Sequence, residues 1–198
     1  MATESESMTR DLGPQLRAGR ERAGVSVREL ARRIRVSPSL LSQVERGLAQ
    51  PSVGTLWAVV TELGLSLDSL FAGPDEARGG DDDKRPAVVQ RAASRPALEL
   101  GGGVVWERLT AAADPDADFA FVTYPPGADS GADDPPTCHR GREYGYVISG
   151  RLGIEVGDQT LELGPGDAVA FGSDTPHRFR ALGDEPVTAV WLNLRAHV

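Results

Sequence analysis

Ser39, Leu40, Ser42, Gln43 and Arg46 fall close together in the chain, and between them they offer the chemistry needed at the edges of DNA bases. A glutamine amide can pair bidentately with adenine, and an apolar side chain such as Leu40 can meet a thymine methyl. Arginine adds attraction to phosphate with little sequence information. Such groups read DNA only if a rigid element holds them on one outward face. The stretch SVRELARRIRVSPSLLSQVERG, Ser26 to Gly47, supplies two short helices for this. Ser26 can cap the first, and Glu29, three residues on, can return the bond as a capping box. Leu30, Ala31 and Ile34 recur at helical spacing, leaving Arg28, Arg32, Arg33 and Arg35 largely off that apolar face. Ser37 caps the second helix, and Pro38 takes its first position, where a missing N–H costs nothing. Leu41 and Val44 turn inward and Gly47 ends the helix. Two such helices joined by a short turn describe a helix-turn-helix, whose second helix enters the major groove.

Around this pair the same signals predict a helical domain over residues 10–73. A first helix is expected from about Pro14 to Ala23, with Leu16 inward and Gly24 ending it. Leu56, Val59, Val60 and Leu63 form the stripe of a fourth, ended by Gly64. Ser66 can cap a short fifth holding Leu67, Leu70 and Phe71. Residues 1–9 read as a disordered tail. Residues 74–86 combine Gly, Pro and charge without apolar periodicity and read as a linker, its Asp81–Asp83 run a solvated spacer. From residue 87 to 198 short β-like runs alternate with turn residues: 104–106, 119–124, 144–148, 152–156, 160–163, 168–171, 177–180 and 187–194. Regular spacing of short strands predicts a sandwich or barrel.

Charge divides along the same boundary. Net charge over the whole chain is −8, which taken alone argues against a nucleic-acid binder. Yet residues 10–73 hold nine Arg against six acids, while residues 74–198 hold twelve Lys and Arg against twenty-one acids. The basic excess lies where the helix pair lies, and the acidic remainder should face away from phosphate. No apolar run approaches the ~20 residues of a membrane span. The N-terminus lacks the apolar core of a signal peptide, and one cysteine cannot form an internal disulfide. A cytoplasmic protein without membrane contact is expected.

At Arg20, Glu29-Leu30-Ala31, Ser37, Ser42 to Gly47, Pro51-Ser52 and Thr55-Leu56, the first domain resembles the phage-repressor-type (Xre) helix-turn-helix family, over about Leu12 to Phe71. The resemblance implies a five-helix domain that binds a double-stranded DNA operator as a homodimer. It implies an ion pair between Arg20 and Glu45. It places Pro38, Ser39, Ser42 and Gln43 toward base edges, and Ser26, Val27 and Arg28 near phosphates. Val27 departs from the polar residue that the family often has there.

The second domain resembles the cupin family at His139 to Gly150 and at Leu163 to Asp167 through Pro176-His177, over about Val104 to Leu194. That implies a jelly-roll barrel with a pocket inside, often dimeric. Cupins commonly hold a metal through two His spaced by one residue, a Glu four further on and a later His. Here Thr137 stands at the first of these positions, and the remainder is His139, Glu143 and His177. Two His and a carboxylate make the facial triad of a mononuclear iron centre, and zinc, nickel or manganese would also be tolerated. The alternative is that the motif serves barrel geometry and the pocket takes an organic effector without metal. Cys138 should point away from the pocket. Trp57 reads as packing beside the stripe of the fourth helix; Trp106, Tyr146, Phe171 and Trp191 sit on strands, where they either line the pocket or, for most of them, pack in the core; His197 reads as solvated.

Two functions follow, from different classes. One is a sequence-specific transcriptional regulator whose cupin domain senses a small molecule or metal. The other is an iron enzyme: the architecture and triad also resemble hydroxypropylphosphonate epoxidase, with Arg108, Arg140 and Arg142 as candidates near the pocket. A scaffold dimerised through its barrel, with no ligand, is the plainest reading. The repressor-like pattern at Ser37–Gly47 favours the regulator.

Overall fold

A computed structural model describes residues 4–71, 88–131 and 136–195. The expected linker at 74–86, and His197, lie outside these residues. The N-terminal part contains four helices: α1 (Glu4–Arg22), α2 (Val27–Ile34), α3 (Pro38–Glu45) and α4 (Val53–Leu63). Each of the last three starts on a serine that satisfies an otherwise orphaned amide. Ser26 accepts from Glu29 N–H, Ser37 from Leu40 N–H and Ser52 from Thr55 N–H. Gly64 closes α4 in the left-handed region, at φ 62°. Leu16, Leu30, Leu41 and Leu56, one from each helix, are buried against one another's helices as the core, each contributing about 1.5–3 kcal/mol.

Three expectations for this domain need correction. The fifth helix is a single turn, Leu67–Leu70. Leu67, Leu70 and Phe71 are buried, but one turn fixes many dihedrals for few hydrogen bonds and does not propagate. The first helix begins at Glu4 rather than near Pro14 and carries Pro14 inside it, so it takes in residues that composition assigned to a tail. Glu29 does not return the capping bond, because its carboxylate accepts from Arg32 and Arg33 instead. Arg35, which ends α2, sits in the left-handed region at φ 60°, a conformation that costs a non-glycine roughly 1–2 kcal/mol.

Among the described residues the C-terminal part holds nine strands: β1 (Ala97–Glu99), β2 (Val105–Arg108), β3 (Ala117–Tyr124), β4 (Arg142–Ser149), β5 (Arg151–Val156), β6 (Gln159–Leu163), β7 (Ala168–Gly172), β8 (His177–Leu182) and β9 (Val187–Leu194). They form a six-stranded sheet in the order β1-β2-β3-β9-β4-β7 and a three-stranded sheet in the order β6-β5-β8. Every pairing is antiparallel. The expected barrel is therefore not closed. The chain leaves β7 at Gly172 and enters β8 at His177 through a turn, and among the described residues no ladder joins the two sheets. Isolated bridges at Asp129–Arg180 and Thr137–His177 tie the remaining loops to β8.

Side chains alternate in and out along the strands. Glu143, Gly145 and Val147 of β4, Ala189, Trp191 and Asn193 of β9, and His177, Phe179 and Ala181 of β8 point inward and are buried. Asp118 is buried at the start of β3, paired with Arg195 beyond β9. The helical part packs directly on the sheets. Strand β1 lies against α1, and the Leu67–Leu70 turn against β3. Gly54 N–H donates to Ser130 O at 2.9 Å, and Gly101 N–H to Pro51 O at 2.8 Å.

Candidate functional site

Two sets of residues could do chemistry. The first is the outward face of α3. Pro38, Ser39, Gln43 and Arg46 are exposed, while Leu40 and Ser42 are half-buried. Leu40 packs against the core edge, so it offers a base less surface than an outward leucine would. Arg46 Nε donates to the Ser42 carbonyl at 3.1 Å. Ser26 and Arg28 are exposed at the start of α2. Of the α2 arginines, Arg32 and Arg33 are tied to Glu29, and Arg33 also to Glu62 at 2.9 Å. Arg28 and Arg35 make no ion pair among the described residues, so they carry the unneutralised charge of this helix.

Beneath α3 lies the contact that fixes its tilt. Arg20 Nε donates to Glu45 Oε1 at 2.6 Å and Nη2 to Oε2 at 2.8 Å, and Nη1 reaches the Val25 carbonyl at 2.8 Å. Both partners are buried. A two-pronged guanidinium–carboxylate pair of this kind holds direction as well as distance. It locks the end of α3 to α1.

The second set is inside the β-domain. His139 sits on the loop before β4, with its amide on the Ser173 carbonyl at 2.9 Å. Glu143 is the second residue of β4, and His177 the first of β8, exchanging two backbone bonds with Thr137. The Nε2 atoms of His139 and His177 lie 2.9 and 3.0 Å from the same atom, Glu143 Oε1. All three residues are buried, and their ligand atoms fall within 4.8 Å of one another.

Second contacts orient each group. His177 Nδ1 lies 2.9 Å from the Thr175 carbonyl, and the neutral tautomer that donates there presents Nε2 as a lone pair. His139 Nδ1 faces the Arg140 carbonyl at 3.4 Å. Trp191 Nε1–H donates to Glu143 Oε2 at 2.6 Å, and Trp191 can lie there because its partner across the ladder is Gly145. A Cβ on Gly145 would stand 2.2 Å from the indole. Burial pushes the Glu143 carboxyl up, and the two imidazoles more than offset this, holding it at about 2. Burial pushes His177 down, and Glu143 outweighs it, so the net shift is upward.

This donor set fits a divalent ion. His139 Nε2 and Glu143 Oε1 are close but misaligned for hydrogen bonding, and both are buried with no hydrogen-bond partner, as is Asn193 Oδ1 nearby. Lone pairs converging on one point without a donor are what an ion would satisfy. Two donors at about 2.1 Å from one ion and at right angles are roughly 3.0 Å apart, close to the spacings here. His139, Glu143 and His177 would hold the ion, and it would supply Lewis acidity with open positions.

The structure also assigns residues that spacing alone did not. Trp57, read as packing for α4, lies flat on the His139 ring, with centroids 4.2 Å and planes 9° apart. Trp191 anchors Glu143. Trp191 was open to a place in the pocket wall, but neither specific contact had a local signal, since each spans many residues of chain. Cys138 is exposed, and its Sγ donates to the Asp174 carbonyl at 3.1 Å.

Comparison with known proteins follows the same division. The helix-turn-helix family model matches residues 16–70, and the cupin domain model matches residues 120–193. The HTH-type transcriptional regulator PuuR of Escherichia coli (strain K12) is 27% identical over 169 residues, 84% of this chain and 85% of its own. SutR of the same strain, also an HTH-type transcriptional regulator, is 27% identical over 185 residues, 92% of this chain and 93% of its own. The crystal structure of an HTH_3 family transcriptional regulator from Vibrio cholerae superposes with a TM-score of 0.69 at 22% identity, covering 98% of this chain and 100% of that one. At that identity the likeness concerns the fold.

Proposed function

We propose a working scheme for this chain, which belongs to the helix-turn-helix transcriptional regulators that carry a cupin domain: α3 reads an operator while the triad in the β-domain senses a metal ion or a small ligand. The chain is a DNA-binding regulator, and the scheme concerns how it does this. Base reading falls to Ser39, Ser42 and Gln43, with Pro38 and Leu40 against the groove wall. Ser26, Arg28 and Arg46 meet phosphates. The observation that carries this is the outward set on α3, with Pro38, Ser39, Gln43 and Arg46 exposed and Ser42 half-buried, on a helix whose other face is locked by Leu41, Val44 and the Arg20–Glu45 pair.

A homodimer on paired half-sites completes the scheme. The outer face of the six-stranded sheet supports it. Tyr144, Tyr146 and Ile148 are exposed there, and Tyr144 and Tyr146 stand opposite Leu192 and Val190 of β9. An apolar face of this kind suits a two-fold contact with the same face of a second copy. Among the described residues no helix is long and apolar enough to cross a membrane, and we place the protein in the cytoplasm with the DNA it reads.

The enzyme reading, an iron protein resembling hydroxypropylphosphonate epoxidase, would draw on the same triad. Arg108 is buried with its Nε on the Thr110 carbonyl, whereas Arg140 and Arg142 are exposed, so these three arginines do not gather as a phosphonate cradle. Metal analysis followed by oxygen uptake after Fe(II) loading separates the two readings. For the regulator, mobility shifts with DNA fragments flanking the gene test the scheme. Sequence-preferring binding that weakens steeply with salt is expected. Equal affinity for every fragment would overturn it.

A further inference from the structure

The cavity beside the triad is nearly full. It retains a volume of about 20 Å³, room for about one water. Most of its wall belongs to strands held in their ladders. Val53 and Trp57 are different, because they come from α4 of the DNA-binding domain. The Trp57 indole covers the His139 imidazole and meets the Trp106 ring edge-on at 6.2 Å. Helix α4 itself packs on α1 and on α2, the first helix of the helix-turn-helix, so a shift of α4 bears directly on that pair. One turn before Trp57, at the start of α4, Gly54 also meets the β-domain: its amide donates to the Ser130 carbonyl, and an added Cβ would lie 3.1 Å from Thr137 Oγ1.

We propose that Trp57 is a residue of the β-domain site, contributed by the DNA-binding domain, and that its stack on His139 couples occupancy of the site to the docking of α4. The inference rests on reading His139, Glu143 and His177 as a metal site. An imidazole that donates its Nε2 lone pair to a cation becomes more positive, and the face of an indole attracts positive charge. Ion binding therefore tightens the stack. By reciprocity the stack tightens ion binding by the same factor. Trp57 acts as a positioning residue for His139, and through α4 it makes the state of the site felt at the helix pair that reads DNA.

The test uses the full chain labelled with 5-fluorotryptophan, titrated with zinc ion alone. The chain has three tryptophans, so Trp57→Phe and Trp191→Phe assign the spectrum. The Trp57 and Trp191 resonances should move with one midpoint, and hydrogen exchange at the Gly54 amide should slow in zinc. By calorimetry Trp57→Leu should bind zinc about 3- to 30-fold more weakly than the parent. Trp57→Phe, which keeps a ring, should fall between, and it preserves the test should the Leu variant fail to fold. If Trp191 moves while Trp57 and Gly54 do not, and the variants bind zinc like the parent, the coupling is wrong while the metal site stands. If no resonance moves and no heat is released, the metal reading fails and takes the coupling with it.

Discussion

Trp191 Nε1 donates to Glu143 Oε2 at 2.6 Å, while the other carboxylate oxygen faces His139 and His177. One oxygen is anchored and the other is aimed. Trp191→Phe keeps the ring and deletes the donor, leaving a buried carboxylate oxygen without a partner. Urea denaturation should show a loss of about 1–3 kcal/mol, and zinc affinity should fall about 10- to 100-fold. Unchanged affinity would mean that Glu143 needs no anchor.

The Gly145–Trp191 pairing makes a related demand on volume. Gly145→Ala forces a methyl into the indole that anchors Glu143. Overpacking of this kind costs about 1–3 kcal/mol or more. Tryptophan fluorescence should also change, because the ring has to move. A variant with parental stability and emission would show that β4 and β9 are looser than described.

Inside the helical domain, Arg20→Ala leaves Glu45 charged and buried. We expect a loss of about 3–5 kcal/mol in thermal or urea unfolding. The paired replacement Arg20→Met with Glu45→Leu should recover most of it. A single variant that unfolds like the parent would contradict the role given to this pair.

Glu29 provides a pH test. Its hydrogen bonds with Arg32 and Arg33 hold its pKa at about 2 rather than near 4.5. Because the folded value lies below the unfolded one, the contribution to stability is present above about pH 4.5 and is lost as pH falls toward 2. The carboxyl is solvent-exposed, so the effect on stability is small and the titration itself is the better readout. Carbon-detected NMR should place Glu29 near 2, and a value near 4.5 would remove the Arg32–Glu29–Arg33 cluster.

Local chemistry accounts for what was legible in the sequence. Ser26, Ser37 and Ser52 each precede a helix they cap, and Gly64 ends one, because orphaned amides and left-handed turns favour those residue types. Eight of the nine strands show as apolar runs between turns; β1, only Ala97–Glu99, is too short to display alternation. The start of α1 was hidden because its polar first turns carry no periodicity and Pro14 resembles a first-turn residue. Closure of the sheets, the Trp57–His139 stack and the Trp191–Glu143 bond depend on which distant segments meet. Residue type gives no sign of that. Glu29 shows the limit of local reading: the capping box was spaced correctly, but two arginines on the same helix outcompeted the backbone amide.

On this account α3 reads bases through Gln43. Selecting binding sites from a random duplex pool, with the parent and with Gln43→Ala side by side, tests it most directly. The parent should enrich one motif in two related half-sites, and the variant should lose preference at one position per half-site, with about 1–3 kcal/mol less affinity for the parental motif. A pool that enriches no motif, or an identical motif bound equally well by the variant, would contradict it.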